Sequence, residues 1–151
     1  MRTIVVGIDG SRASDSALRW AVNEARCHGA TLHAVCAWSL PYHKGEIGHL
    51  AGEAMREPFF HDARRRLEAA IDVATSDGNG VSIERHVVEA PAARALIEAA
   101  ADADLLVVGS RGRGGFAGLL LGSVSQQCVQ HAQCPVVVVR AGAAPESTPP
   151  A

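Results

Sequence analysis

The chain has 151 residues, the size of one ordinary domain and enough to bury a hydrophobic core without disulfides or metals. Hydrophobic residues make up 48% and charged residues 20%, a globular composition that excludes a disordered polar protein. The formal net charge is −2 and aromatic residues make up 4%, so the sequence offers neither the basic field nor the stacking surface of a nucleic-acid-binding protein.

The first half of the chain alternates strand-like and helical patterns. Residues 3–8 form a short apolar run rich in β-branched residues, typical of a strand buried on both faces. Residues 9–11 (Asp-Gly-Ser) supply a turn and a helix N-cap, and the helical spacing that follows ends at Gly29. A second strand is predicted over residues 31–37. Residues 38–56 show no clean periodicity, and their Pro and Gly residues indicate an irregular connection.

The second half continues the alternation and completes one domain over residues 1–140. The predicted elements are a helix over 57–76, a half-exposed edge strand over 81–88, a helix over 91–102, a buried strand over 105–108, a loop over 109–121, a short helix and a last strand over 135–139. Residues 141–151, with three prolines, are predicted to be a disordered C-terminal tail. Strands that alternate with helices predict a parallel five-stranded sheet with helices on both faces, whose ligands bind beyond the carboxyl ends of the strands.

The N-terminal residues and the cysteines indicate the cellular compartment. The chain runs directly into its first strand without the long apolar region and cleavage site of a signal peptide. No stretch approaches the roughly 18 apolar residues that would span a bilayer. The cysteines show neither CxxC spacing nor the density of a disulfide scaffold; they are Cys27, Cys36, Cys128 and Cys134. We therefore expect a cytoplasmic protein with reduced thiols and no membrane partner.

The loop after the fourth strand carries the most informative pattern. From Gly109 to Ser125 it reads Gly-Ser-Arg-Gly-Arg-Gly-Gly-Phe-Ala-Gly-Leu-Leu-Leu-Gly-Ser-Val-Ser. Its glycines let backbone amides approach a ligand, and its two arginines add positive charge. Its end opens a helix, whose free N–H groups and dipole favour an anion. The pattern predicts a polyphosphate cradle that is neither a Walker A loop, since it lacks lysine, nor a GxGxxG dinucleotide fingerprint.

At these residues the chain resembles the nucleotide-binding, single-domain members of the universal stress protein family. The resemblance covers about residues 1–140 and rests on the segments 7–11, 107–112, 122–125 and 134–139. The family's ATP-binding members carry G-x2-G-x9-G-S/T, which this chain matches without insertion or deletion. The resemblance implies the adenine-nucleotide alpha hydrolase-like fold, with a five-stranded parallel sheet in the order 3-2-1-4-5. It also implies a homodimer through the last strand, Pro135–Val139.

The resemblance further implies which residues contact an adenine nucleotide. Phosphates and ribose would be held by residues of the loop and helix start, namely Gly109, Gly112, Gly122, Ser123 and Ser125, with Val108, Arg111 and Val124 alongside. Gly7 and Asp9 would lie near the nucleoside, and the strand end around Cys36 and Ala37 would border adenine. The Asp9 carboxylate would repel phosphate unless it meets a ribose hydroxyl or Mg²⁺. The cofactor that the resemblance implies is ATP, with or without Mg²⁺. The simpler alternative is that Asp9 only caps the first helix or stiffens its turn.

Several alternatives remain open for the function. The loop offers no evident base for phosphoryl transfer, so we expect a nucleotide-binding, regulatory stress-response protein rather than an enzyme. The other hypotheses are a slow ATPase switch, a cyclic AMP-binding protein and a nucleotide-free dimer module for protein interactions. A metal site among His43, His49 and His61 is not expected, because no HxxH or HExxH spacing occurs there.

Overall fold

The computed structural model describes residues 1–40, 46–78, 80–112 and 121–142, without the side chains of residues 46–53 and 55. Strands and helices alternate along these residues. In chain order they are β1 (Thr3–Gly7), α1 (Arg12–His28), β2 (Thr31–Trp38), α2 (Glu46–Ala74), β3 (Ile83–Glu89), α3 (Ala92–Ala99), β4 (Leu105–Gly109), α4 (Ser123–His131) and β5 (Val136–Val139).

The five strands form one parallel sheet in the order β3-β2-β1-β4-β5, which confirms the predicted fold class. The chain first builds the sheet from β1 outwards through β2 and β3. It then returns to the other side of β1 to place β4 and β5. The direction of building therefore reverses between β1 and β4, and ligands of open parallel sheets bind at the carboxyl ends of the strands at such a point.

Two hydrophobic clusters fill the space between the sheet and its helices. Ile4 and Val6 belong to the cluster shared with α1 and α2, whereas Val5 belongs to the cluster shared with α3 and α4. Successive side chains of a strand point to opposite faces of a sheet, so a strand covered by helices on both sides must be apolar throughout. This requirement explains the uninterrupted apolar runs of β1 and β4. Among the described helices, none is both long and apolar enough to cross a membrane.

Local signals fix both ends of α1 as the sequence predicts. The Ser11 hydroxyl caps the helix by accepting a hydrogen bond from Ser14 N at 3.1 Å. At the other end Gly29 has a φ of 61° and donates its N–H to Ala25 O. This left-handed conformation favours glycine and ends the helix.

The predicted irregular connection over residues 38–56 is wrong at both of its ends. Trp38 is the last residue of β2, and α2 begins at Glu46, eleven residues before the predicted helix start at 57. Pro58 lies inside α2, where its missing N–H costs the helix one hydrogen bond. The Leu, Ala, Glu, Met and Arg residues before it are strong helix formers, and the helix continues through the proline. Residues 41–45 lie outside the described part of the chain.

The structure describes two residues of the segment predicted to be a C-terminal tail. Ala141 and Gly142 form a turn, and Gly142 N donates a hydrogen bond to Ser16 Oγ at 3.2 Å. This contact ties the end of β5 to α1. Residues 143–151 lie outside the described part of the chain.

Candidate functional site

A pocket opens at the carboxyl ends of β1 and β4, where the order of strand addition reverses. It contains about 500 Å³ of empty space, which includes space open to solvent. Six of the predicted site residues line it, namely Gly7, Asp9, Val108, Gly109, Gly112 and Val124. The lining also includes Ala37, which the sequence analysis places beside adenine. The other lining residues were not predicted: Ile8, Ser11, Ser14, Val35, Ala92 and Leu96.

The turn between β1 and α1 is stiffened by the side chain of Asp9. Asp9 Oδ1 accepts a hydrogen bond from Ser11 N at 2.8 Å. Ser14 Oγ accepts from Asp9 N at 3.3 Å and donates to Ser11 O at 3.2 Å. The other carboxylate oxygen, Oδ2, faces the loop after β4, because a β-carbon added to Gly112 would lie 2.7 Å from it. Asp9 therefore holds the turn with one oxygen and presents the other to the pocket.

Gly109 allows the end of β4 to pack directly against the first turn of α1. A β-carbon at this position would lie 2.7 Å from Ala13 C and 2.8 Å from Ser14 N. These are backbone atoms of a helix and cannot rotate away. Close packing of β4 against α1 is therefore sufficient to explain glycine at position 109, although this residue also lines the pocket.

The N-terminus of α4 meets the same loop. Gly122 is the N-cap residue and donates its N–H to Ser110 O at 2.7 Å, and it has no side chain with which to cap the helix. The first hydrogen bond within α4 runs from Gln126 N to Gly122 O at 3.0 Å. The amides of residues 123–125 precede that bond and have no acceptor within the helix. Such amides, aligned with the helix dipole, form a favourable environment for an anion.

Ser125 holds the loop from inside. It is buried, and its hydroxyl lies 3.0 Å from both Ser110 O and Gly122 O, to which it can donate. The structure therefore places Ser125 as a support of the helix start, while Ser123, the first residue of α4, is exposed. Exposure leaves the Ser123 hydroxyl accessible to a ligand.

Arg111 joins the two loops that follow β1 and β4. Its carbonyl oxygen lies 3.4 Å from Ser11 Oγ, which donates to it, and the residue is exposed. A β-carbon on Gly122 would approach no closer than 3.4 Å to Arg111 Cα, so α4 begins directly beside this loop. Arg113 lies outside the described residues.

Cys36 lies on the opposite face of the sheet from the pocket. Its two strand neighbours, Val35 and Ala37, line the pocket, whereas Cys36 is buried in the cluster shared with α1 and α2. Burial raises the pKa of the Cys36 thiol, although a hydrogen bond and the charge of Arg66 partly oppose the rise. The strand alternation that separates these residues is visible in the sequence and would have selected Val35 and Ala37 over Cys36.

A polar cluster at the carboxyl ends of β2 and β3 was not predicted. Trp38 and Glu89 are register partners at the ends of β2 and β3. Arg56 of α2 forms an ion pair with Glu89, and its guanidinium lies 6.0 Å from the centre of the Trp38 ring. Arg56 falls in the segment predicted to be irregular, so this contact could not be predicted from the sequence.

Comparisons with known proteins identify relatives over nearly the whole chain. The family model described as "Universal stress protein family" matches residues 1–140. Universal stress protein Rv2624c of Mycobacterium tuberculosis is 36% identical over 140 residues, which cover 93% of this chain and 48% of the relative. The chain thus spans about half the length of the curated relatives it matches.

Solved structures reproduce the fold. The universal stress protein UspA from Lactobacillus plantarum has a TM-score of 0.81 at 21% identity, covering 92% of this chain and 97% of its own. A universal stress protein crystallised in complex with cAMP has a TM-score of 0.60 at 31% identity, covering 93% of this chain and 97% of its own.

Proposed function

The chain belongs to the universal stress protein family, and we propose that it is a regulatory protein of the stress response that binds an adenine nucleotide in the pocket between β1 and β4. The observation that carries the proposal is the uncapped N-terminus of α4 beside a glycine-rich loop at that pocket. A ligand with an anionic group at one end and an apolar ring at the other would match both parts of the pocket.

The phosphates would lie against the start of α4. The amides of residues 123–125 and the exposed Ser123 hydroxyl are donors in the position where a negative charge is favoured. The charge of Arg111 adds to the same end of the pocket. Gly112 and Gly122 would let the phosphates approach the backbone without obstruction by a β-carbon.

The nucleoside would lie over the ends of β1 and β2. Val35, Ala37 and Leu96 form an apolar wall there, on which an adenine ring would bury its faces. Asp9 Oδ2 points into the same space, and a carboxylate in that position would accept from a ribose hydroxyl or hold a Mg²⁺ ion. Without either partner it would repel a phosphate, which argues for the ribose end of the ligand at Asp9.

ATP is the ligand that we propose first, because the chain carries the spacing Gly109-x2-Gly112-x9-Gly122-Ser123. We propose binding without rapid turnover. Among the described residues that line the pocket, Asp9 is the only ionisable one, and one of its oxygens is already hydrogen-bonded to Ser11 N. A rapid phosphoryl transfer would require a positioned base and stronger neutralisation of charge. A slow ATPase switch remains the nearest alternative.

Cyclic AMP is a second candidate ligand, and one observation favours it. The solved relative that is 31% identical to this chain was crystallised with cAMP. Cyclic AMP carries one phosphate, so its adenine would contact the same apolar wall while its phosphate would use fewer of the donors at the N-terminus of α4. The two ligands therefore differ in how strongly they depend on Arg111.

Titration calorimetry with ATP, AMP and cAMP tests the proposal. Ser123→Ala should weaken ATP binding about 10- to 100-fold, because one hydrogen bond to a charged acceptor is worth about 1.5–3 kcal/mol. Gly122→Val should abolish binding, and Arg111→Ala should weaken ATP more than AMP. Ser82→Ala, which changes an exposed serine at the other end of the sheet, is the matched control.

The outcomes separate the hypotheses. Unchanged ATP affinity in Gly122→Val would refute the cradle, provided that circular dichroism shows the variant to be folded. Tighter binding of cAMP than of ATP by the parent protein would support the phosphate cradle but show that cAMP, rather than ATP, is the preferred ligand. Failure of all three nucleotides to bind would favour the nucleotide-free interaction module.

We also propose a homodimer through β5. Within the described part of the chain β5 pairs only with β4. Pro135 O and Val139 O accept hydrogen bonds from β4. By the alternation of a parallel ladder, the N–H and C=O groups of Val136 and Val138 therefore point to the open edge. An apolar strand with unpaired backbone groups favours pairing with a second copy about a twofold axis.

Two substitutions test this interface by sedimentation at micromolar concentration. Val138→Pro removes an outward-facing N–H without disturbing the bonds to β4, and should yield a folded monomer. Val137→Lys should also dissociate the dimer, but Val137 packs against the core, so its unfolding must be measured alongside. A dimer that persists in Val138→Pro would place the interface elsewhere.

A further inference from the structure

Two histidines and a glutamate come together on β2 and β3, away from the nucleotide pocket. His33 lies on β2, and Glu84 and His86 lie on β3, with His33 and Glu84 as register partners. Glu84 Oε2 lies 3.6 Å from His33 Nε2 and 3.5 Å from His86 Nε2. All three residues offer a ligand atom within 4.8 Å of the others. We call them the β2–β3 triad.

The two distances from Glu84 Oε2 match the spacing of metal ligands. Zinc bonds to imidazole nitrogen and carboxylate oxygen are about 2.0–2.2 Å long, which places two tetrahedral ligand atoms about 3.4 Å apart. Both distances from Glu84 Oε2 are within about 0.2 Å of that value. Two imidazoles and one carboxylate are also a donor set suited to borderline divalent metals such as zinc.

His86 supplies an independent indication. Its Nε2 atom is buried and makes no hydrogen bond. Most buried polar atoms have a hydrogen-bond partner, and where the protein offers none, a bound ion or an ordered water supplies it in many proteins. An ion between the three side chains would provide a partner for this nitrogen. The exposed fraction of the Glu84 side chain is 55%, so an ion could reach the site from solvent.

We propose that the β2–β3 triad is a binding site for a divalent transition metal with the coordination chemistry of Zn²⁺. The ion would join β3, an edge strand, to β2 and so stabilise that side of the sheet. Three protein ligands leave one tetrahedral position for water or for a ligand from another molecule. The site does not depend on the proposed nucleotide, since none of its residues lines that pocket.

The competing interpretation is an ion-pair cluster without any metal, in which Glu84 forms ion pairs with His33 and His86 in their protonated form. The chain offers a matched control for it. His28 Nε2 lies 2.9 Å from Glu24 Oε1 in α1, which is a histidine–glutamate pair without a second imidazole near enough to complete a triad in the described residues. Cys27 is exposed beside it and would bind zinc through its thiolate, so the experiment uses a Cys27→Ser background.

The experiment measures Zn²⁺ affinity by competition with a chromogenic chelator, using the 151-residue chain without a histidine tag. We expect one tight site per chain, with at least about a tenfold loss of affinity in His33→Gln and in His86→Gln and no loss in His28→Gln. His43→Gln and His49→Gln should also leave the affinity unchanged. Co²⁺ bound to the parent protein should give the intense absorption of tetrahedral coordination without a thiolate charge-transfer band.

Thermal unfolding gives a second measurement that does not depend on the chelator. Zn²⁺ should raise the Tm of the parent protein and of His28→Gln, and it should not raise the Tm of His86→Gln. Circular dichroism checks that each variant is folded before metal is added. Equal Zn²⁺ affinity in the triad variants and in His28→Gln would overturn the proposal, as would the lack of saturable binding by the parent protein.

Discussion

The contact between β4 and α1 allows a prediction that compares two glycines of the same motif. Gly109→Ala would place a β-carbon 2.7 Å from Ala13 C and 2.8 Å from Ser14 N, which is closer than such atoms approach. Gly122→Ala would place it no closer than 3.4 Å to any atom of the described residues, which is an ordinary contact. Neither glycine has a positive φ, so the difference between the two variants is steric.

The magnitude follows from two opposing effects. Alanine reduces the conformational freedom of the unfolded chain and stabilises a protein by about 0.4–1 kcal/mol where it fits. Gly122→Ala should therefore be neutral or slightly stabilising. Gly109→Ala gains the same effect, but forcing β4 away from the helix backbone costs about 1–3 kcal/mol or more. We expect Gly109→Ala to be less stable than Gly122→Ala by at least about 1 kcal/mol, or about 2–4 °C in Tm for a chain of this size.

Urea unfolding followed by circular dichroism, in the absence of nucleotide, measures this difference. The m-value must remain unchanged, so that the midpoints can be compared as stabilities. Equal stability of the two variants would refute the argument that Gly109 is needed for packing. A large loss of stability in Gly122→Ala would contradict the open space assigned to that position.

Three further predictions concern other positions. Asp104 accepts hydrogen bonds from two backbone N–H groups at the start of β1, and these lower its pKa below the ordinary value of 3.8. The ionised carboxylate therefore stabilises the fold above that pH, and this stabilisation is lost as the pH falls through the lowered pKa. Asp104→Asn should reduce the acid dependence of urea unfolding. Burial raises the pKa of Cys128 to about 11, so the free energy of unfolding should fall as pH rises from about 9 towards 11, less so in Cys128→Ala. Gly7→Ala brings a β-carbon 2.8 Å from Leu96 Cδ1, the end of a flexible side chain, and should lower Tm less than Gly109→Ala does.

The sequence predicted the sheet well because its signals are local and repeated. The apolar runs of β1 and β4, the Ser11 cap and the Gly29 stop each report on their own segment, and the structure confirms them. The start of α2 could not be predicted in this way. Pro58 and the nearby glycines are helix breakers by propensity, and propensity is a weak guide when the rest of a helix is anchored by packing.

The sequence predicted only some of the residues of the site, and there is a physical reason why the others were missed. Residues adjacent to the glycine motif lie in one stretch of sequence, so Val108, Gly109, Gly112 and Val124 could be named together. Val35, Ala92 and Leu96 come from other elements that only the sheet order brings to the same edge. The β2–β3 triad was missed for the same reason, because about fifty residues separate His33 from Glu84 and His86. The cytoplasmic location stays a prediction.

The glycine motif serves two purposes that the structure separates. Gly109 is required by the backbone of α1, whether or not a ligand is present. Gly122 is not crowded by any described atom, and its φ of −76° is available to every residue, so the described part of the fold gives no reason for glycine there. A glycine that the fold does not need is best explained by something that approaches it from outside. If the fold tolerates Gly122→Ala while ATP binding does not, that position, rather than Gly109, is the one that reports on the ligand.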